Sequence, residues 1–222
     1  MYNPKNKREK ELNKLPKQLS IIQNEVMTGS LLGDGTINYK KVPTYNSLYK
    51  VLRQASDVKY LQWNADIFSN YCKDSPIKHR SYFDKRTQKE YYSIYFTTKC
   101  LPLFTKLRKL WYKNTTKIVP KNLKLTPLTI AVWFCDDGNL YIDKKTGSVT
   151  CTFSTDGFAY NEIVFLKEKL EKFNHSKVSI NKHENSFIIR LCGDNALSLV
   201  RKFYDVYPPG MERKILKVLP RL

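Results

Sequence analysis

No stretch of this sequence approaches the ~18 consecutive apolar residues that a membrane-spanning helix requires, so contact with a membrane is not expected. The opening MYNPKNKREKEL lacks the apolar core of a secretory signal, and an unexported chain is the expectation. Cysteines are few and unpaired in pattern. Cys72, Cys100, Cys135, Cys151 and Cys192 are scattered, odd in number and form no CxxC, which argues against a zinc cage or a disulfide framework and for small core thiols in a reducing compartment. Low-complexity tracts are missing too. With 41% hydrophobic and 27% charged residues the chain is neither disordered nor fibrous, and 222 residues allow one large domain or two of about 100 residues each. Acid is the real shortage. Against 39 Lys+Arg stand 20 Asp+Glu, a net charge of +19 that exceeds what solubility needs and points to a polyanion, nucleic acid ahead of an anionic membrane.

The excess is uneven: residues 1–125 hold 25 basic and 9 acidic side chains, and residues 126–222 hold 14 and 11. The first half should therefore grip the polyanion harder. Both halves also show one order of elements. A helix over Ile21–Leu32 leads to strands near Ile37–Lys40 and Leu48–Gln54, then to a helix striped by Val58, Leu61, Ala65, Phe68 and Cys72. Strands near Ile77–Phe83 and Tyr91–Thr98 follow, then a helix with Leu103, Leu107, Leu110 and Trp111. Thr126-Pro127 reads as an N-cap with proline at the first helical position and opens a second round. Strands near Leu140–Lys144 and Ser148–Ser154, a helix over Glu162–Phe173, strands near Val178–Lys182 and Phe187–Cys192, and a helix capped by Asp194 complete it. The pattern is αββαββα twice, an internal duplication with a period of about 100 residues. Two α+β subdomains with antiparallel sheets are expected, residues 1–125 (with a basic extension, 1–17) and 126–222.

In Ser148–Ser154, Ser148, Thr150, Thr152 and Ser154 alternate with Val149, Cys151 and Phe153, so one sheet face is hydroxylated and the other apolar. Helices must cover the apolar face, and the polar one stays open. The first half's strands and turns carry Lys40, Lys41, Lys50, Arg53, Lys78, Arg80, Lys85 and Arg86, interleaved with Tyr39, Tyr45 and Tyr82. Lys145, Thr150, Thr152, Lys182 and Arg190 are the second half's candidates. Basic side chains can neutralise phosphates, and a β-ribbon can read base edges from the major groove.

The two opening helices carry the sharpest local signal. One ends Met27-Thr28-Gly29-Ser30-Leu31-Leu32-Gly33-Asp34-Gly35 and the other Ile130-Ala131-Val132-Trp133-Phe134-Cys135-Asp136-Asp137-Gly138. Glycine is ordinary there, because the left-handed position after a helix favours it. A carboxylate is not, since it meets the negative end of the helix dipole. The same conflict at matching places in a duplicated unit calls for a compensating cation. Small residues four apart, Gly29 with Gly33 and Ala131 with Cys135, give each helix a strip along which the other can approach, bringing Asp34 and Asp137 side by side. Two such carboxylates in a basic groove suit Mg²⁺ and phosphodiester chemistry.

These segments resemble the LAGLIDADG motif of homing endonucleases, and two copies in one chain resemble the family's monomeric branch. The resemblance covers nearly the whole chain and rests most on Trp133-Phe134-Cys135-Asp136-Asp137-Gly138. It implies that Asp34 and Asp137 bind two or more divalent ions, with the main-chain oxygens of Gly33 and Asp136 nearby, and that both DNA strands are cut with short 3′ overhangs. Family sites include a late basic residue in each half, for which Lys117 and Lys214 are the candidates. Gln54 resembles a residue that orders water near the metal; its second-half match is read as falling near Phe153, which implies unequal chemistry on the two strands.

Geometry points the same way. The minor groove is about 6 Å wide, so two acids at adjoining helix ends reach phosphates facing each other across it. Strands of about 8 residues span roughly 26 Å, and two sheets imply a target on the order of 15–20 base pairs, non-palindromic because the halves differ. An intron RNA maturase or a non-cutting nucleic-acid binder on the same scaffold is the alternative, and a basic structural protein ranks below both. Abundant Lys, Asn, Tyr, Ile and Phe fit AT-rich coding, as in a mitochondrion or other organelle; a bacterial cytoplasm fits as well.

Overall fold

The computed structural model describes residues 15–39, 46–74 and 76–222. Ser20 opens the first helix, α1 (Ile21–Leu32), with a reciprocal capping box: its hydroxyl accepts from the Gln23 amide, and the Gln23 side chain accepts from the Ser20 amide. Strands β1 (Thr36–Tyr39) and β2 (Ser47–Gln54), helix α2 (Val58–Ile67), strands β3 (Lys78–Asp84) and β4 (Lys89–Thr97) and helix α3 (Pro102–Trp111) follow. A short hairpin not foreseen in the sequence, β5 (Tyr112–Lys113) with β6 (Thr116–Lys117), closes this round. The second round runs α4 (Pro127–Asp137), β7 (Gly138–Ile142), β8 (Val149–Ser154), α5 (Tyr160–Asn174), β9 (Ser179–His183), β10 (Ser186–Cys192) and α6 (Asp194–Tyr204). Thr126 caps α4 by accepting from the Thr129 amide, with Pro127 at the first helical position, as its sequence predicts.

The fold is α+β with two four-stranded antiparallel sheets of matching order, β1-β2-β4-β3 and β7-β8-β10-β9. Period-two alternation sets which side chains each sheet buries. Val149, Cys151 and Phe153 are buried on one face of β8, and Tyr49 and Val51 on one face of β2. Trp133 of α4 packs on Phe153 with ring centroids 4.3 Å apart, so the helix plugs directly onto its own sheet. Of the five cysteines, Cys72, Cys135 and Cys151 are buried, Cys100 is half-buried and Cys192 is exposed. No helix among the described residues is long and apolar enough to cross a membrane.

Helices α1 and α4 meet at the seam between the two repeats. A methyl group added at Gly29 would lie 2.4 Å from the Thr129 carbonyl oxygen and 2.8 Å from Val132 Cβ, and one at Gly33 would lie 2.4 Å from Asp136 Cβ. The small-residue strip of α1 therefore has the role its sequence indicates. The strip read on α4 is one residue out of register. Thr129, Val132 and Asp136 face α1, whereas Cys135 packs with Tyr60 and Met211.

Other details also depart from the sequence. Gly35 and Gly138 are not left-handed; they are needed because an added Cβ would sit 2.3 Å from Ser30 Oγ and 2.2 Å from Phe134 Cδ2. Helix α2 stops at Ile67, leaving Phe68 and Cys72 of the expected stripe buried in the turn beyond it, and Val58 is exposed. On α3 the buried face is Phe104, Arg108 and Trp111, with Leu110 exposed. Gly193, at φ +58°, precedes α6, and Asp194 is its first helical residue without a side-chain cap bond.

Candidate active site

Helices α1 and α4 end side by side, and their terminal acids converge. The Asp34 amide donates to the Asp136 carboxylate (3.3 Å), joining the two helix ends through a side chain. The negative end of each dipole is met by a lysine. Lys117 donates to the Gly33 and Gly35 carbonyls (2.8 and 3.0 Å), and Lys214 to the Phe134, Asp136 and Gly138 carbonyls (3.2, 3.2 and 2.8 Å). The repeat is faithful here, since Gly33 and Gly35 of one motif correspond to Asp136 and Gly138 of the other. Part of the compensating cation inferred from the sequence is thus built in as ammonium groups. Burial, the largest cause, lowers the pKa of both lysines against the opposing pull of the neighbouring acids.

Asp137 is partly buried, and burial followed by the charge of Asp34 raises its pKa to about 6. Among the described residues no group donates a hydrogen bond to its carboxylate. Asp136 is fully enclosed. Burial raises its pKa to about 7, although Arg53 works against the rise and Tyr60 donates to it (2.9 Å).

Arg53 departs most from its expected role. Instead of standing on an open face for DNA it is 8% exposed, on the core side of β2 with Tyr49 and Val51. Its guanidinium contacts the carboxylates of Asp34, Asp136 and Asp57, the last at 2.9 Å. The strand's alternation carried the signal: Arg53 has the parity of the buried residues, and Gln54 that of the open face. Asp57, which no motif marks, is the buried counter-ion of both Arg53 and Arg213 (2.7 Å). Tyr60 and Arg213 likewise went unread.

Gln54 stands at the end of β2 opposite Ser93, and both line a cleft with Asp34, Arg80, Tyr82 and Tyr91. Its counterpart is not Phe153. Lys50 aligns with Thr36 and Thr97, and Thr152 with Asn139 and Arg190, so the registers carry Gln54 onto Asp156, two residues past β8. Asp156 accepts a hydrogen bond from Ser186 and lines a cleft with Asp137 and Lys117. Phe153 is core.

Among the other candidates, Lys78, Arg80, Lys85, Arg86 and Lys145 are exposed. Lys50 sits over the Tyr95 ring at 4.9 Å on the open face of the first sheet. Thr150, Thr152 and Arg190 share the strand parity of the second sheet's open face, but Thr150 is buried and not exposed for DNA as its sequence position suggested. Lys182 pairs with Phe187 and so belongs to the opposite face, away from Arg190. Lys40, Lys41 and Tyr45 lie outside the described residues, as does most of segment 1–17.

Among the described residues no three His, Cys, Asp or Glu side chains gather as a ligand cage. Asp34, which has one carboxylate oxygen on Arg53, and Asp137 suit a hard cation that keeps waters and accepts substrate oxygens, and they do not suit structural zinc. The Gly33 and Asp136 carbonyls are already engaged by the lysines. The Asp34 and Asp137 carboxylates fit a divalent cation, and each of those carbonyls keeps a second lone pair beside them.

The homing endonuclease I-WcaI bound to its DNA recognition sequence superposes with a TM-score of 0.84 at 23% identity, covering 96% of this chain and 94% of that one. The cytochrome b mRNA maturase bI2 of Saccharomyces cerevisiae is 25% identical over 96% of this chain, which spans only 51% of that relative. A probable intron-encoded endonuclease 1 of Wickerhamomyces canadensis is 26% identical over 82% of this chain and 79% of its own length. The model of the LAGLIDADG DNA endonuclease family matches residues 24–199, four-fifths of the sequence, and the chain belongs to that family.

Proposed function

We propose that this protein is a homing endonuclease that cuts both strands of a long, non-palindromic DNA target across the minor groove, leaving short 3′ overhangs. The observation that carries the reading is the pair of helix ends, where Asp34 and Asp137 each stand beside a carbonyl-anchored lysine beneath two open sheets. In this reading the halves divide at 125/126, each sheet lies along the major groove on its side of the cut, and the first half holds DNA harder.

Asp34 and Asp137 would hold Mg²⁺, which when bound would supply positive charge to the scissile phosphates and lower the pKa of the attacking water. Lys117 and Lys214 stabilise the charge that develops on each phosphate. Gln54 and Asp156 orient water at the two acids, and because one is an amide and the other a carboxylate, the two strands are cut at different rates. Arg53 holds Asp34 from behind.

The test is incubation of the protein and Mg²⁺ with a duplex carrying the intron-insertion sequence, beside Asp34→Asn and Asp137→Asn. The parent should yield staggered ends. Each variant should bind the duplex yet lose at least 10²-fold in rate, as expected for a group acting only on the transition state. Cleavage by the variants at the parental rate would refute the metal assignment.

The likeness to a cytochrome b mRNA maturase favours a second reading, in which the chain binds intron RNA. Retention of both acids favours cutting. Either activity fits a mitochondrion or another organelle whose genome carries introns, and a single chain containing both halves of the site acts as a monomer.

A further inference from the structure

The two lysines sit at the helix end of their own repeat, but the segments that carry them are fastened to the other one. Lys117 ends the β5–β6 hairpin, and two residues later the Val119 amide donates to Glu162 (2.8 Å) in the first turn of α5. Glu162 is itself fixed there, its second oxygen accepting from the Ala159 amide (2.9 Å). Lys214 has the mirrored arrangement. Its neighbour Arg213 donates to Asp57 (2.7 Å), the residue that precedes α2. The chain just before it is pressed onto α2: a Cβ at Gly210 would lie 2.7 Å from Lys59 Cβ and 2.8 Å from the Tyr60 nitrogen, and Met211 is buried with Tyr60. An acid at the start of each middle helix thus ties down the opposite repeat's basic segment.

We infer that Glu162 and Asp57, with its partner Arg213, are positioning residues acting across the seam, so that each strand's cut depends on an anchor in the opposite half of the molecule. Neither acid touches the lysine it serves. What each fixes is where the ammonium stands: three or two carbonyl acceptors hold it in place only while the segment behind it stays docked. A displacement of about 1 Å at such a group costs on the order of 10²-fold in rate. The arrangement makes cutting contingent on proper apposition of the repeats, because a lysine on a loosened segment leaves its helix end uncompensated.

This inference rests on the proposed cleavage activity, and the experiment separates the two. A duplex target labelled on each strand is cut with Mg²⁺ by the parent, by Lys117→Met and Lys214→Met, which define the strand each lysine serves, and by Arg213→Met and Glu162→Ala. Arg213 is half-exposed, so its loss leaves the Arg53–Asp57 pair in place. Arg213→Met should slow the strand served by Lys214 tenfold or more, and Glu162→Ala the strand served by Lys117, so that opposite nicked products accumulate. Arg213→Lys and Glu162→Gln should each recover part of the loss.

Amide exchange on the same proteins gives a readout that needs no cleavage. Arg213→Met should speed exchange at Lys214 and Ile215 and leave Ile118 unmoved, with the reverse for Glu162→Ala. Equal slowing of both strands, or exchange that changes at both segments together, overturns the inference. If the parent does not cut, the nuclease reading fails and the exchange pattern alone decides the anchoring.

Discussion

Arg53 shows how one side chain governs this site, because it neutralises three acids that are otherwise packed together. Breaking a buried ion pair by removing one partner costs about 3–5 kcal/mol, since the remaining charge is stranded. Arg53→Ala should therefore lower the melting temperature by roughly 10 °C in a chain of this size, and Arg53→Lys by less, read by calorimetry. The acids predict a pH dependence of their own. Asp136 and Asp137 titrate at about 7 and about 6, above the ordinary aspartate value of 3.8, so the folded protein holds these protons more tightly than the unfolded chain does. That contribution to stability is whole below about pH 4 and is lost as pH rises through 6 to 7. The metal-free parent should lose melting temperature between pH 5 and pH 8 relative to Asp137→Asn, and a divalent ion should restore it at pH 8; parallel curves would contradict the assigned shift. Asp34 and Asp137 could be singled out in the sequence because each ends one copy of a duplicated motif, whereas Lys117 and Lys214 were reached only through the family resemblance. Asp57 and Asp156 were not legible, because their positions depend on strand register and on contacts between distant segments, which local spacing does not encode.

Elements tell a similar story at the seam. Nearly every helix and strand could be read from periodicity and capping, Thr126 included, because these signals act within a few residues, and the capping box of Ser20 is of the same local kind. Facing partners could not be read this way. The small residues Ala131 and Cys135 looked like the match for Gly29 and Gly33, yet rotation of α4 about its axis presents Val132 and Asp136 instead. That rotation is set by Trp133, buried on Phe153, and by Cys135, which seats against Tyr60. Two alanine substitutions separate close approach from mere glycine content. Gly29→Ala would press a methyl group to 2.4 Å from a main-chain oxygen of the neighbouring helix and should cost about 1–3 kcal/mol as the helices separate, enough to lower the melting temperature by several degrees. Gly157→Ala meets nothing within 4 Å and should melt within a degree or so of the parent. Equal effects would mean that the seam tolerates separation, and with it that Asp34 and Asp137 are not held together by helix contact.

At the scale of the whole molecule, charge and topology act together. The excess of +19 is concentrated in the first repeat, and the sheets there turn Lys50, Lys78 and Arg80 to the open face with Tyr82 and Tyr95. Composition alone made the polyanion legible, but it did not say which cations face it: Arg53 is spent inside, and Lys182 lies on the opposite face of its sheet. Salt dependence distinguishes these classes, because each phosphate neutralised releases condensed counterions and adds about −0.9 to the slope of log K against log salt. Duplex binding measured between about 50 and 200 mM salt should therefore fall by several orders of magnitude if six or more phosphates are engaged. Lys78→Ala with Arg80→Ala should flatten the slope by about 2, one for each lost contact, and weaken binding to all sequences alike where the contact is to phosphate. Lys182→Ala removes the same unit of charge from the protein and should leave the slope unchanged, because counterion release counts contacts and not net charge. If Lys182→Ala flattened the slope as much as Arg80→Ala does, the DNA would have to reach the helix-covered side of the second sheet, and the open faces would lose their claim to be the nucleic-acid surface.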